Sequence, residues 1–78
     1  MTRVLVDYHH DPADLHPIDV AVVESGRPGD DDWIPALRDT VDGRRVVRVR
    51  ASVPSRYIVW LRDRHGVRDV HRAEVSIS

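Results

Sequence analysis

Apolar and polar residues alternate in the last third of the chain, which is the pattern of half-buried β-strands. The stretch from Arg56 to Ser78 contains two such runs, whose core-facing positions are Tyr57, Val59 and Leu61 in the first and Ala73, Val75 and Ile77 in the second. Asp63-Arg64-His65-Gly66 would connect them, because Gly66 can adopt the left-handed conformation that closes a hairpin loop of about three to five residues. We therefore predict that this stretch forms a closing β-hairpin against which the other strands pack.

Three earlier segments show the same period of two. They are Arg3–Asp7 with Val4 and Val6 on one face, Ile18–Val23 with Ile18, Val20 and Val22 on one face, and Arg44–Ala51 with Val47, Val49 and Ala51 pointing inward. Trp33–Leu37 is also predicted to be extended, but Pro35 confines it to a sheet edge or a bulge. The polar segments Tyr8–Pro17 and Ser25–Asp32 are predicted loops. The pattern predicts a single all-β domain over residues 1–78, a small Ig-like sandwich of about six or seven antiparallel strands.

The dipeptide Asp42-Gly43 is a signal for a two-residue hairpin turn. A tight turn would pair Leu37 with Arg48 and so place an apolar side chain on the face that carries the arginines. Because Val47 marks the opposite face as the core face, this register conflicts with the hydrophobic pattern. We therefore predict an ordinary or bulged turn between sheets at Asp42-Gly43.

Length and composition narrow the class of protein. A chain of 78 residues forms one domain with a thin core, and the absence of cysteine excludes a disulfide framework. The apolar runs are much shorter than a membrane span, and residues 1–20 lack the basic start and apolar run of a signal peptide. We expect neither a membrane segment nor a secretory signal.

The net charge of −1 conceals an uneven distribution of charge along the chain. All 12 basic residues are arginine; residues 1–43 carry 3 of them with 10 acids, a balance of −7, and residues 44–78 carry 9 with 3 acids, a balance of +6. Either the charges pair across neighbouring strands, or one polar face docks on a partner of opposite sign. Both interpretations stay open from the sequence.

A docking face would draw on the arginines of the second half and on an outward aromatic residue. The candidates are Arg44, Arg48, Arg50, Trp60, Arg62 and Arg72, which we predict to share one outer sheet face with Tyr8. Trp60 alternates with Val59 and Leu61, so it points away from the core and is either covered by a loop or part of an interface. Trp33 is predicted to cap an edge of the core instead. Arginines among aromatic residues also suit nucleic acid, but the slightly negative net charge argues against that partner.

Two acidic or histidine-rich segments could in principle bind a metal. The loop that follows the first strand holds six potential ligands: Asp7, His9, His10, Asp11, Asp14 and His16. Their spacing matches no closed metal site, and two prolines restrict the loop, so a solvated polar loop is the expectation and a metal site at His9, His10, Asp11 and His16 the lesser alternative. Asp30-Asp31-Asp32 lacks the ligand spacing of a calcium loop and is predicted to be solubilising.

The sequence gives little support for a catalytic site. His65 and His71 lie near Asp63 and Asp69, but no nucleophile accompanies them in a recognisable arrangement. A chain of this length also has little room for a pocket that buries a substrate. We expect no enzymatic activity, no cofactor and no metal.

Four short motifs resemble small β-sandwich virion proteins, which are encoded among the structural genes of tailed phages of high-GC Gram-positive bacteria. They are, in order, Ile18-Asp19-Val20-Ala21-Val22-Val23, Asp32-Trp33-Ile34-Pro35-Ala36, Val46-Val47-Arg48-Val49 and Tyr57-Ile58-Val59-Trp60-Leu61. The last motif, with Arg62-Asp63, also looks like the final hairpin of immunoglobulin-like and fibronectin type III-like modules. The resemblance implies a structural protein of the virion, made in the host cytoplasm.

The resemblance further implies that the chain binds the capsid shell or the head–tail region as a decorating, cementing or stabilising module. The partners implied are other virion proteins and a second copy of the chain in a homo-oligomer. No membrane partner is implied. An alternative comes from Arg72-Ala73-Glu74-Val75 together with Tyr57-Ile58-Val59, which look like the last strands of discoidin-like domains. That resemblance implies a glycan- or cell-surface-binding module.

Overall fold

A computed structural model describes all 78 residues and forms a β-sandwich of two four-stranded antiparallel sheets. Its strands are β1 (Thr2–Asp7), β2 (Asp19–Val23), β3 (Ile34–Pro35), β4 (Leu37–Val41), β5 (Arg44–Ala51), β6 (Ile58–Asp63), β7 (Gly66–Val70) and β8 (Val75–Ile77). Asp30–Asp32 and Arg72–Glu74 are single turns of 3-10 helix. The fold contains no apolar helix of membrane-spanning length. The predicted all-β sandwich is confirmed, with eight strands.

Each sheet mixes strands from both halves of the chain. The first sheet has the order β4-β5-β1-β8, and the second has the order β3-β2-β6-β7. The segment from Ile34 to Val41 passes from the second sheet to the first at Ala36, whose N–H donates to the carbonyl of Ile18 at 2.9 Å. Pro35 lies in the edge strand β3, as predicted, where its missing N–H breaks no ladder.

The core lies between the two inner sheet faces and consists almost entirely of valine. Its nine buried residues are Val4, Val6, Ile18, Val20, Val47, Val49, Val59, Leu61 and Val70. Eight of these occupy alternate positions of the four segments whose period of two marked them as half-buried, so the predicted phase of those segments is confirmed. β-branched side chains suit such a core because they lose little rotamer freedom on a pleated surface.

The predicted closing hairpin is wrong in its second strand. β6 pairs with β7, not with the last residues, through a turn of Arg64 and His65 that Gly66 closes with φ 120°. The chain then crosses to the first sheet, where β8 pairs with β1 and Val75 lies opposite Val6. Of the three residues predicted to face the core here, Val75 is half-buried, whereas Ala73 and Ile77 are exposed. Alternation within a strand also carries no information on which sheet the strand joins.

The turn at Asp42-Gly43 is the tight one that the hydrophobic pattern argued against. Both residues have positive φ, 52° and 78°, as a two-residue type I′ turn requires, and Leu37 pairs with Arg48. Leu37 is 59% exposed in this register. The prediction fails because the turn geometry fixes the register and an edge strand tolerates one exposed leucine.

We expect Gly43→Ala to lower the free energy of unfolding by about 1–2 kcal/mol, because a Cβ disfavours the left-handed conformation. Gly29→Ala is the matched control, since Gly29 has φ −83° and an added Cβ would lie an ordinary 3.6 Å from the Asp32 carboxylate. Urea denaturation followed by circular dichroism measures both. Equal losses in the two variants would contradict the type I′ turn.

Candidate functional site

The six predicted docking residues do not share one face. Arg44, Arg48 and Arg50 lie on β5 and project from the outer side of the first sheet, whereas Trp60 and Arg62 lie on β6 and project from the outer side of the second. Arg72 lies in the 3-10 turn before β8, with its guanidinium 4.7 Å from the centre of the Tyr57 ring. The single predicted face is wrong because alternation shows which way a side chain points, not which sheet its strand joins.

Two arginines on the first sheet are already paired within the chain. Arg44 lies 3.1 Å from the Asp7 carboxylate, and Arg48 lies 3.1 Å from the Asp39 carboxylate. Both carboxylates lie opposite Val46 in the sheet, on either side of it, and Val46 is only 1% exposed. The first interpretation from the sequence, in which charges pair across neighbouring strands, therefore applies to Arg44 and Arg48. Exposed ion pairs of this kind contribute under about 1 kcal/mol each to stability.

Arg50 differs from the other arginines of its strand. It lies directly opposite Arg3 of β1, and neither forms an ion pair with a carboxylate. Arg3 was not among the predicted docking residues, because its place opposite Arg50 depends on the β1–β5 register. No pattern within either strand reveals that register.

The outer side of the second sheet carries both tryptophans. Trp60 lies opposite Ala21, which is fully buried, and its indole N–H donates to the carbonyl of Gly26 at 3.2 Å. The guanidinium of Arg27 lies 5.4 Å from the centre of the Trp60 ring. Trp60 points outward as predicted, and a loop covers it in part, which is one of the two alternatives open from the sequence.

Trp33 lies on this same outer face and not in the core, which corrects the prediction. The guanidinium of Arg62 lies 4.5 Å from the centre of its ring and donates two hydrogen bonds, at 3.1 and 2.9 Å, to one Asp19 oxygen. Trp33 directly precedes Ile34, which lies opposite the core residue Val20. Alternation from Ile34 would therefore have placed Trp33 outward, but Pro35 interrupts the period and obscures it.

We name the surface formed by Trp33, Trp60, Arg27 and Arg62 the tryptophan face. Both indoles are half-buried, so each ring keeps surface available for a partner. Val67, which is 40% exposed and lies opposite Arg62 on β7, extends the face with apolar area. Such a surface combines the two residue types most enriched at binding hot spots.

The loop between β1 and β2 folds onto one end of the sandwich through hydrogen bonds and ion pairs. The Tyr8 hydroxyl donates to the Asp63 carboxylate, and Asp14 accepts the His16 backbone N–H at 3.0 Å and lies 3.5 Å from Arg64. The His16 backbone bond, followed by the bond to its ring at 2.8 Å, lowers the pKa of Asp14. These contacts give the acidic loop a structural role.

The histidines of this loop are spread apart. His10 is buried beside Tyr8, with ring centres 6.1 Å apart and neither ring nitrogen hydrogen-bonded, whereas His9 and His16 are exposed. No group of three or more histidine, aspartate or glutamate side chains is placed to hold a metal ion. The candidate ligands His9, His10, Asp11 and His16 are therefore not brought together. Asp30-Asp31-Asp32 forms an exposed turn in which Asp32 accepts the Gly29 N–H at 2.7 Å.

We expect stability to fall as the pH rises from 10 to 12 because of Tyr8. Burial, and then the hydrogen bond to Asp63, raise the pKa of Tyr8 from 10.0 to about 12. A pKa raised by folding means that the neutral phenol's contribution is present below pH 10 and is lost as the pH passes through the folded value. The chain has no lysine and its arginines stay protonated, so few other groups titrate in this window.

Urea denaturation of the wild type and of Tyr8→Phe, repeated from pH 8 to 12, measures this effect. The variant lacks the hydrogen bond and should be less stable at pH 8, but its stability should change less between pH 10 and 12. Parallel curves for the two proteins would show that Tyr8 is not the titrating group.

A comparison of the chain with protein-family models, with curated proteins and with solved structures finds no match.

Proposed function

We propose that this chain is a non-enzymatic docking module that binds other proteins through the tryptophan face. The observation that carries the proposal is the placement of Trp33 and Trp60 on one outer sheet face, each beneath a guanidinium. The few residues that contribute most of the binding energy in protein interfaces are enriched in tryptophan and arginine and lie near the desolvated centre. Of these side chains, Trp60 and Arg62 lie on the strand β6.

The tryptophan face is preorganised for binding. Asp19 fixes the Arg62 side chain by two hydrogen bonds, and the Gly26 carbonyl holds the Trp60 indole. Immobilising a flexible side chain on binding costs about 0.5–1.5 kcal/mol, so side chains held in the free protein lose less on docking. Arg62 is thus one predicted docking residue for which both position and order favour an interface.

We further propose that the partner is a virion protein of the capsid shell or head–tail region, which this chain decorates or stabilises. This part rests on the resemblance of four sequence motifs and on a β-sandwich fold, which is the fold the resemblance implied. A small module suits a repeating lattice because many weak contacts then act together.

Co-sedimentation with capsids that lack this protein tests the proposal. Wild type should sediment with the capsids, whereas Trp60→Ala and Val67→Glu should stay in the supernatant. Val67 is partly exposed, so its substitution alters the face without emptying the core. Leu15→Glu is the control, because Leu15 is 89% exposed and lies in the loop at one end of the sandwich. Wild-type binding by both tryptophan-face variants, each with an unchanged circular dichroism spectrum, would contradict the proposal.

A glycan-binding module is the second candidate, because indole rings on a sheet face can stack on sugar rings. One side of each indole is already covered, by Arg62 over Trp33 and by Arg27 over Trp60. That leaves less ring area for a sugar than for a protein edge. Binding to a glycan array that Trp60→Ala abolishes, without binding to capsids, would favour this candidate.

A further inference from the structure

The opposed arginines Arg3 and Arg50 form an unrelieved cluster of positive charge. Like charges directly opposite each other on neighbouring strands destabilise a sheet. The other arginines of β5's outer face avoid this cost, since Arg44 and Arg48 each have an aspartate within 3.1 Å. No aspartate or glutamate carboxylate lies within 4.0 Å of Arg3 or Arg50, so no acidic side chain of the chain offsets this pair.

A groove opens beside this pair, where the chain passes from β3 to β4. It has a volume of about 340 Å³ and is lined by Arg3, Arg48, Arg50, Ile34, Pro35, Leu37 and Val49. Three guanidinium groups thus share a groove with an exposed leucine. Arg48 lies 3.1 Å from the Asp39 carboxylate through its Nε.

We propose that this arginine groove binds an extended acidic peptide segment of a partner protein. Carboxylates of the segment bind Arg3 and Arg50, where the guanidinium forks match their geometry. A neighbouring apolar side chain of the segment packs against Leu37, whose exposure in the free protein is 59%. The bound acids neutralise the charge that folding leaves unpaired.

The lining favours a peptide over a nucleic acid. No aromatic ring lines the groove, so bases would have no stacking surface there. The apolar part of the groove, formed by Ile34, Pro35 and Leu37, would make no contact with a free phosphate ion. A carboxylate beside an apolar side chain satisfies both halves of the groove.

This inference does not depend on the proposed function, because the groove and the tryptophan face have no residue in common. With both surfaces occupied, one copy of the chain would bridge two neighbouring proteins. A failure to bind capsids would not contradict peptide binding in the groove. A failure to bind the peptide would not contradict docking through the tryptophan face.

Fluorescence anisotropy with the labelled probe peptide Leu-Asp-Asp-Leu tests the groove, with Leu-Asn-Asn-Leu and inorganic phosphate as comparisons. The wild type should bind the acidic probe saturably, more weakly as salt rises, and should not bind the amide probe. Arg3→Gln with Arg50→Gln should weaken binding at least tenfold. Arg56→Gln with Arg68→Gln, which removes two exposed arginines outside the groove, should leave it unchanged.

Three results would overturn the inference. They are no binding by the wild type, equal losses in the two double variants, and displacement of the probe by phosphate at the same concentration. Urea denaturation supplies an independent check, since removing two opposed charges should leave stability equal or higher. Lower stability of Arg3→Gln with Arg50→Gln would show that the pair has contacts within the chain.

Sedimentation velocity distinguishes a second copy of the chain as the occupant. A concentration-dependent dimer that Arg3→Gln with Arg50→Gln abolishes would show that the exposed turn Asp30–Asp32 of another copy occupies the groove. That result would contradict the proposed binding of a peptide segment from a different protein. A monomer at all concentrations supports the proposal as stated.

Discussion

Replacing Leu61 by alanine should lower the free energy of unfolding by about 2–5 kcal/mol, the range typical of buried leucines. Leu61 is 1% exposed and is the largest of the fully buried side chains. Its neighbours in the core are nearly all valines on rigid strands, which cannot move far to fill the cavity. Small domains have only about 5–15 kcal/mol of stability, so the variant should be partly unfolded well below the wild-type melting temperature.

Leu15→Ala is the matched control for Leu61→Ala, since it makes the same chemical change at a side chain that is 89% exposed. Its stability should lie within about 0.5 kcal/mol of the wild type. Urea denaturation followed by far-ultraviolet circular dichroism measures both variants. Similar losses at the two sites would mean that Leu61 is not in the core and that the phase of β6 is wrong by one residue.

Val46→Ala should destabilise the protein by about 1.5–3 kcal/mol, although Val46 lies on an outer sheet face. Val46 is 1% exposed and lies between Asp7 and Asp39 in the sheet, whose carboxylates hold Arg44 and Arg48. The two Arg–Asp pairs shield the Val46 side chain from water. Removing its two methyl groups leaves a gap beneath these pairs and loses the van der Waals contacts made there. The arginine stems thus bury apolar area as well as carry charge.

Val67→Ala is the comparison for Val46→Ala, because Val67 is also on an outer sheet face but is 40% exposed. Thermal denaturation of the two variants should place Val46→Ala several degrees below Val67→Ala. A loss at Val46 no larger than that at Val67 would show that the Arg–Asp pairs leave Val46 open to solvent.

Strand phase could be predicted from the sequence because it depends on neighbouring residues alone. In Arg44–Ala51, the predicted strand has the observed bounds and the predicted core residues Val47, Val49 and Ala51 are buried. The side-chain period of two holds whichever sheet the strand joins. Burial of Val46 was missed because it depends on aspartates supplied by other strands.

Sheet membership could not be predicted, since it depends on pairings between distant segments. β7 contains only one buried residue, Val70, and so gives almost no alternation, whereas Ala73, Val75 and Ile77 alternate with polar residues in the sequence. The sequence therefore favoured β8 as the partner of β6. For the same reason, Arg48 and Trp60 were predicted on one outer face, although their strands lie in different sheets.

The candidate site was predicted in part. The outward orientation of Trp60 and Arg62 was predicted from the clear alternation of apolar and polar residues in β6, and both side chains lie on the tryptophan face. Trp33 was missed because Pro35 obscured its alternation, and Arg3 because its place opposite Arg50 depends on the strand register. Sites assembled across strands need the register, and the register is fixed by turns and by core packing together.

Hydroxyl-radical footprinting of this protein, free and bound to capsids, tests the docking role of the tryptophan face most directly. Trp33 and Trp60 are the only tryptophans in the chain and lie on the same face, so mass spectrometry of this chain's peptides reports on that face. The account predicts that oxidation of both tryptophans falls several-fold on binding, while the exposed Leu15 is oxidised as before. Unchanged oxidation of Trp33 and Trp60 in the bound protein, with Leu37 on the opposite side protected, would contradict it.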